Sequence, residues 1–590
     1  MTFRTACAGV VLVLTLLGGQ VLGAQHELDP RTDVYEAIDR WYATGLIDTP
    51  LPIIRPYPRH VLLSLLQTVE RRATPAQAQL ARQYLAELGA DGISWRLSGI
   101  GDAVDDEALP RGRASAQFRY GLAEQIDLGI SMSANAIARD ALEADNLLYA
   151  DRFDVDVVED NVPTFSVADQ EFLILPDAQT NLSYGNERLW VQAGIHRRSF
   201  GPVHQDSPVL SSDAPQQAGA SFTWAGRRHS FNLTLLSLSA SSRFKLPGTE
   251  GDDATPVTVG QTATTPLDLV LADEPDLVPG KLLYIQSVHF HVARWLDLGI
   301  MEAVVTGPRL EMAYLIPAKT LFLGQALSGF EDNSLLGLTA NFRPGANVHI
   351  PLMVYVDDVN FNELASFNFD TKIKAAASTA IDWYAPPPVL ERIRFSYDIV
   401  MPYMYTHPGV NPYTDEPNYL DYRHQGVNLG SGLLPNSDRA RLAIMVRPLP
   451  RVGLELSGAL IRHANASEGL LNGYVNDGGY GDAGRDGVFE EVDTDTDGDP
   501  EVIWNEGRLL FNDDRLFLEQ DTIEHIYQVG LEAAWRTRVA NWDTELSGGV
   551  TYQYVDGPLS YVIAADGTGQ TVAGSDQTSW FFSLGVVLSR

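Results

Sequence analysis

The stretch Trp580-Phe581-Phe582-Ser583-Leu584-Gly585-Val586-Val587-Leu588-Ser589 decides how the rest of the chain is read. Trp580, Phe582, Leu584, Val586 and Leu588 fall on one face of an extended chain, and Ser583, Gly585 and Ser589 on the other. The same two-residue rhythm recurs upstream. Ala116, Phe118 and Tyr120 alternate with polar neighbours, as do Phe222 with Trp224, and Phe231, Leu233 and Leu235. Val288, Phe290 and Val292 alternate with His289 and His291, and Leu546, Val550, Tyr552 and Tyr554 share one face. In a soluble sandwich such an apolar face points inward; in a membrane barrel it points at lipid. Three features favour the barrel. An export signal precedes the strands, the rhythm runs from about residue 95 to the end without a second helical domain, and aromatic residues stand near strand ends as they do in interfacial girdles. At about 25 residues per strand and connection, this length suits about 16 to 20 strands. Closure removes the exposed edges that a long open sheet would carry.

Working toward the N-terminus, residues 30 to about 92 change period and read as helices. Asp33 and Glu36 have capping-box spacing; Val34, Ile38 and Trp41 then share a face, and Gly45 can end the helix. Pro58 suits a first helical turn before Leu62, Leu65, Leu66 and Val69. Thr74-Pro75-Ala76-Gln77 opens a third segment with a stripe of Leu80, Tyr84, Leu85 and Leu88, closed by Gly89. Helices this short bury little by themselves, so they are expected to lean on each other and on the barrel. Before them, Arg4, the apolar run Ala8 to Leu17 and the small residues to Ala24 make a cleavable signal peptide over residues 1–24. The expected organisation is therefore a signal peptide (1–24), a periplasmic helical domain (25–94) and an outer-membrane β-barrel (95–590). The one cysteine, Cys7, lies in the signal, so a mature chain has no disulfide and no thiolate metal site.

The 590 residues carry 76 Asp plus Glu against 42 Lys plus Arg, a net charge of −34. Such a chain repels phosphate backbones, which argues against a nucleic-acid partner. Acidic loops suit cations and hydroxyl-rich ligands instead. Segments 246–279 and 464–515, rich in Thr, Pro, Asp and Gly, read as outside loops. Within the second, Asp493, Asp495, Asp497 and Asp499 alternate around Gly498, a pattern suited to oxygen-coordinated Ca²⁺. The twelfth position of an EF-hand would need Glu and here is Trp504, so a solvated acidic loop is the competing reading. Asp357 and Asp358 are paired acids, but neighbours on a strand point to opposite faces and do not converge on one bond. They read as an acidic turn at a strand end. His289 and His291 share a face without a carboxylate to complete a metal set, and read as polar pore-facing residues. Glycine-flanked serine, phosphate-loop and His-Glu-x-x-His signatures are absent, so no enzymatic reading is favoured.

Several short segments, in order, resemble the Wzi-type capsule assembly proteins. They are Asp33 to Asp48, the Pro-rich Leu51 to Pro58, Phe200-Gly201-Pro202 through Val209 to Pro215, Glu331-Asp332-Asn333, and Val356-Asp357-Asp358. Tyr397, the run Tyr403 to His407, Tyr422 to Gly426, Leu429-Gly430 and Leu434 to Asp438 continue the order. The chain departs from the family at Leu434, where a glycine is common, in the Asp493 loop and in its Arg590 end. The resemblance implies a barrel of about 18 strands, a periplasmic helical bundle, loops that narrow the lumen, and a role in binding or assembling surface polysaccharide. A sugar site would use aromatic faces and polar groups at loop tips. On loop position alone, Tyr413, Tyr474, Tyr480 and Trp504 are candidates. The expected partners are outer-membrane lipid and surface polysaccharide around a monomeric barrel. A general porin or sugar-permeable channel is the alternative, because fold does not fix function.

Overall fold

In the computed structural model the chain closes into a barrel of 18 antiparallel strands. The structure describes residues 29–89, 91–104, 107–123, 125–138, 163–167, 170–239, 280–316, 321, 332–345, 347–357, 374–385, 389–402, 404–405, 420–424, 427–449, 451–464, 469–470, 492–494, 500–502, 517–540, 542–563 and 569–589. In chain order the barrel strands are β1 (Gly92–Val104), β2 (Glu107–Ala123), β3 (Ile126–Ala138), β4 (Gln170–Asn186), β5 (Leu189–His196) and β6 (Gln217–Ala225). They continue as β7 (His229–Leu238), β8 (Lys281–Ala293), β9 (Leu296–Thr306), β10 (Asn333–Gly345), β11 (Val348–Asp357) and β12 (Lys374–Tyr384). The last six are β13 (Leu390–Val400), β14 (Ser437–Leu449), β15 (Val452–His463), β16 (Glu524–Val539), β17 (Trp542–Asp556) and β18 (Gln577–Ser589). Each strand pairs with the next, and β18 returns to β1 through a register running from Arg96 opposite Ser589 to Val104 opposite Phe581. No barrel edge is left, which is what a sheet in hydrocarbon requires.

The strand carrying the decisive stretch behaves as its alternation demands. Trp580, Phe582 and Leu584 point outward and are exposed. Two strands earlier, Tyr527, Val529, Leu531 and Trp535 of β16 do the same. Outward aromatics gather at two levels. Trp95, Tyr120, Tyr184, Trp224, Trp383 and Trp535 ring the end where strands are joined by tight turns. Tyr397, Tyr527, Tyr554 and Trp580 stand toward the other end, with Tyr527 and Tyr554 stacked at 6.0 Å. Immediately beyond them the register aligns Asp438, Arg462, His525 and Asp556 across four strands. A charged row above an aromatic row marks a membrane–water boundary.

The expectation of a wet inner face holds for only part of the wall and is corrected for the rest. Ser94, Gln117, Gln179, Asn181, Gln192 and Ser221 face inward on β1 to β6. On β8 and β9, however, Leu283, Ile285, Met301, Ala303 and Val305 also face inward and are buried. Apolar residues inside a barrel need an apolar partner there, and the loops that supply it are described below.

Three helices precede the barrel: α1 (Asp33–Ala43), α2 (Arg59–Arg72) and α3 (Pro75–Gly89). Val34, Ile38, Trp41, Leu62, Leu66 and Leu88 meet in one cluster that also takes in Trp190 of β5. Gly45 ends α1 with a left-handed φ of +79°. Two local expectations are corrected. Asp33 is the first helical residue, not the cap; Thr32 holds that place and donates its hydroxyl to the Asp29 carbonyl at 3.1 Å, so the capping box is not formed. Leu80 lies on the exposed side of α3, whose buried stripe is Ala78, Ala81, Tyr84 and Leu88.

Leu531 lies on the outward face between the two aromatic levels, whereas Ser583 faces the lumen. Replacing Leu531 with Arg is expected to lower folding stability in phospholipid vesicles by about 2–4 kcal/mol. Ser583→Asn is expected to change it by less than about 0.5 kcal/mol. Urea titration of the lipid-folded protein reads both, and equal effects would refute the assignment of faces.

Candidate functional site: the filled lumen

Apart from the two-residue connection between β1 and β2, the tight turns lie at the end from which β1 starts and at which β18 finishes; the connections 139–169, 197–216, 239–280, 307–332, 358–373, 401–436, 464–523 and 557–576 lie at the other. The helical domain covers the tight-turn mouth. Its contacts go around the rim: Arg59 to Asp91 at 2.6 Å, Arg40 to Glu391 at 3.1 Å, Glu36 to Arg392 at 3.3 Å, and Asp33 to Arg536 at 2.7 Å. On the β9–β10 side Tyr42 donates to Asp297, which also meets His291, and the Arg343 guanidinium lies 3.9 Å over the Tyr42 ring. Exposed ion pairs are worth little one at a time. The Tyr42 group is different, because ring, carboxylate and guanidinium are all buried at the junction.

After α1 the chain turns inward. Ile54 and Arg55 form a two-residue ladder with Phe200 and Ser199, and Gly201 N–H donates to the Ile53 carbonyl at 3.0 Å. Arg55 is buried between the Tyr35 and Tyr57 rings and bonded to Asp39. Its ladder partner belongs to the connection 197–216, which comes from the opposite end of the barrel. That connection folds into the lumen because its own polar groups are satisfied there. Arg198, fully buried, donates to the carbonyls of Gly194, Gln217 and Gly219. The Ser207 hydroxyl accepts the Val209 and Leu210 amides at 3.2 Å. Asp206 meets Arg439, which also holds Asp398 at 2.9 Å, and Ser378 donates to the Asp206 carbonyl at 2.5 Å. Gly201 has φ +131°, and a β-carbon there would overlap the Met353 sulfur, so the backbone passes where only glycine fits.

A third segment descends from the 401–436 connection. Ser211 N–H donates to the Leu429 carbonyl at 2.9 Å, Leu429 N–H to Tyr422 at 3.2 Å, and Tyr422 N–H to Tyr405 at 2.8 Å. The Tyr405 hydroxyl closes the loop on the Pro208 carbonyl at 2.8 Å. Lys281 and Asp421, neither exposed at all, pin this segment to β8. Removing one member of such a pair is costly, since the other is left buried and unpaired. Phe200, Val209 and Leu210 thus bury against Tyr405, Tyr422 and Leu429, and all of them against the apolar inner wall of β8 to β12. A hydrogen-bonded column runs from the helical domain through the lumen to the far connection.

Two histidines in this column are held neutral. Burial, reinforced by the nearby Arg55 cation, depresses His204 well below the usual histidine value. Its Nδ1 lies 2.9 Å from the Ser199 hydroxyl. Burial pulls His424 down to about 4, with Lys281 adding to the fall against the opposing Gln216 carbonyl.

Little of the sequence-derived site can be placed. Tyr413, Tyr474, Tyr480, Trp504, Asp495, Asp497 and Asp499 lie outside the described residues, as do Asp358 and the signal 1–24. Asp493 is described only as backbone, in a two-stranded ladder of Val492–Thr494 with Pro500–Val502. Asp357 ends β11 on the inner face, buried and in register with Lys374 of β12, so it is an interior strand end and not a solvated turn. His289 and His291 both face inward; His289 lies 3.4 Å from Thr339, and His291 bonds to Asp297. Among the described residues no cluster of three metal-ligating side chains occurs. The sequence reading missed Arg198, Asp206, Arg439 and Lys281; Lys281 stands out as a charge before an apolar run, whereas the other three sit among polar neighbours and carry no local signal.

No family model matches the sequence, and no curated protein matches it. Among solved structures the chain is similar to Wzi of Escherichia coli, an outer-membrane protein involved in group 1 capsule assembly and described as a carbohydrate-binding β-barrel. The match has 11% identity over 96% of this chain and 99% of that one, with a TM-score of 0.51. OccD3 of Pseudomonas aeruginosa matches at 9% identity over 85% of this chain and 91% of that one, TM-score 0.39. OccAB4 of Acinetobacter baumannii matches at 8% over 84% and 98%, TM-score 0.37. The first shows an outer-membrane barrel fold; the lower scores add nothing to it. Of the segments that carried the resemblance in sequence, 51–58, 200–215, Tyr422 and Leu429 meet in the lumen, whereas 33–48 lies in the helical domain.

The sign of the acid response follows from the two histidines. Each binds a proton less readily folded than unfolded, so the filled lumen is most stable above pH 6.5 and weakens as pH falls from there toward about 4. Amide exchange in 201–215, corrected for its intrinsic rate, is expected to be faster at pH 5 than at pH 7.5, with part of the difference lost in His424→Gln. Equal protection at both pH values would contradict this.

Proposed function

We propose that this protein is an outer-membrane barrel that binds, or helps to assemble, a surface polysaccharide of the capsular type. The observation that carries this reading is the filled lumen. A diffusion channel needs an open water path, yet here residues of 51–58 and 197–216, with Tyr405, Tyr422 and Leu429, pack into an apolar core against the inner wall of β8 to β12 while a helical domain spans one mouth. What the molecule offers to its surroundings is then its long connections, not its bore. Binding at loop tips, with no chemistry on the ligand, is the function such an architecture serves.

Orientation follows from the connections. Outer-membrane barrels keep short turns in the periplasm and long loops outside. That rule supports placing the helical domain in the periplasm, behind a cleaved signal peptide, in a monomeric barrel. The carbohydrate binding ascribed to the Escherichia coli barrel of the same fold supports the ligand class. The acidic excess fits a hydroxyl-rich ligand, with Ca²⁺ at Asp493, Asp495, Asp497 and Asp499 as a bridge and Tyr413, Tyr474, Tyr480 and Trp504 as stacking faces.

Two measurements on the refolded protein test the reading. Titration calorimetry against purified capsular-type polysaccharide is expected to show binding, weakened when Ca²⁺ is chelated. Planar-bilayer recording is expected to show little conductance, rising when Arg439→Met leaves Asp206 and Asp398 facing each other. Steady open conductance of the unaltered protein, together with no glycan binding, would favour the porin instead.

A further inference from the structure

The outer wall is not bare everywhere. On β8 and β9 the outward residues split into two halves. Toward the tight-turn end Phe290, Val292, Leu298 and Ile300 are exposed. Farther up, Gln286, Tyr284 and Val304 also point outward, yet Tyr284 and Val304 have no exposed surface at all. Their neighbours Leu283, Ile285, Ala303 and Val305 point the other way, into the lumen core. Something therefore covers the barrel on its outside.

The cover is the start of the 307–332 connection, which folds back down over the wall. A single 3-10 turn, Met312–Leu315, lays Tyr314 against Tyr284 with ring centroids 5.2 Å apart, and Leu321 completes a cluster with Val304. Polar groups are satisfied beneath it. Glu311 N–H donates to the Tyr284 hydroxyl at 2.8 Å, the Tyr314 hydroxyl donates to Asp332 at 2.8 Å, and Arg309 meets both Asp332 oxygens at 2.9 Å. Glu302, an acid on the outward face, accepts the Leu321 amide at 2.5 Å and the Gln286 side chain at 3.3 Å. The opposite side of the segment is apolar and open: Leu310 is 58% exposed, Met312 64% and Ile316 52%.

The membrane has one thickness around the whole barrel. On β16 the outward apolar face runs from Val539 to Tyr527, about 30 Å along the membrane normal at the usual rise and a tilt of about 40°. On β9 it runs only from Leu296 to Ile300, about 10 Å by the same reckoning. The hydrophobic band of such barrels is about 25 Å tall. The strand wall of this sector is too short, and Leu310, Met312 and Ile316 extend it where it stops.

We propose that residues 309–316 are a lipid-inserted flap: Leu310, Met312 and Ile316 lie among the acyl chains of the leaflet on the long-connection side, completing the apolar belt over β8 and β9. Arg309, anchored to Asp332 but with its side chain 44% exposed, stands above them at headgroup level. The flap also removes the Glu302 carboxylate from hydrocarbon, where an uncovered charge is destabilising.

Site-directed spin labelling tests this. Met312→Cys and, separately, Ile316→Cys are labelled in the full chain with Cys7→Ser, folded into phosphatidylcholine nanodiscs. Leu531→Cys serves as the lipid reference and Arg451→Cys, in a tight turn, as the water reference. Power saturation with oxygen and with a water-soluble nickel chelate is expected to give both flap positions a positive depth parameter like that of Leu531. A negative value matching Arg451 would overturn the proposal. So would protection from both relaxers, the sign of a second protein copy on the patch. The Leu531 reference keeps failure of the flap distinct from failure of the barrel to enter lipid.

Discussion

Everything in this structure depends on satisfying the backbone where no water can. A strand in hydrocarbon must give each N–H and C=O to a neighbour, and the sheet is free of edges only because β18 pairs back to β1. That closure fixes which residues face out. Once Trp580 and Leu584 meet lipid, Ser583 and Gly585 must face the lumen, and the register transmits the choice from strand to strand. The outward aromatic levels follow from it.

Closure creates a second problem, which is what to put inside. A barrel of 18 strands encloses more space than its own side chains fill. Here the interior is built as a protein core. Apolar inner residues of β8 to β12 are matched by Phe200, Val209, Leu210, Tyr405 and Tyr422, while the incoming backbone is satisfied by Arg198, Ser207 and chain-to-chain bonds. Buried charges hold the pieces in place. The Arg439 bridge between Asp206 and Asp398 and the Lys281–Asp421 pair contribute position more than net stability, since desolvation offsets most of their attraction. The same sector is covered on its outside by the Tyr314 turn, so the halves of β8 and β9 toward the long connections are buried on both faces.

Much of the fold was legible because alternation is a strong local signal. The Phe582 to Leu588 pattern, the Val288 to Val292 pattern and the first two helical stripes stand where their periods indicate. The reading failed where two environments compete. Leu282 to Ile285 and Ala303 to Val305 are nearly continuous apolar runs, and such runs do not tell lipid from core. Leu80 went wrong because α3 turns a different stripe inward, and Asp33 because Thr32 occupies the cap. The candidate site was less legible. Loop aromatics were chosen by position alone, whereas the lumen is organised by arginines, serines and glycines scattered over more than 200 residues of sequence, such as Arg439 with Asp206 and Lys281 with Asp421.

The sequence by itself determined the class of the molecule: period-two strands with an apolar side, a helical preface, and an acid excess that disfavours polyanionic partners. These are properties of residues and their immediate neighbours. Only the tertiary structure decided that the 197–216 connection and residues 420–424 and 427–433 turn inward, that residues 309–316 turn outward, and that the helical domain spans the mouth. The reason is that a local pattern specifies that a face is apolar, while what lies against that face is set by pairings between distant strands and by the loops those pairings bring together.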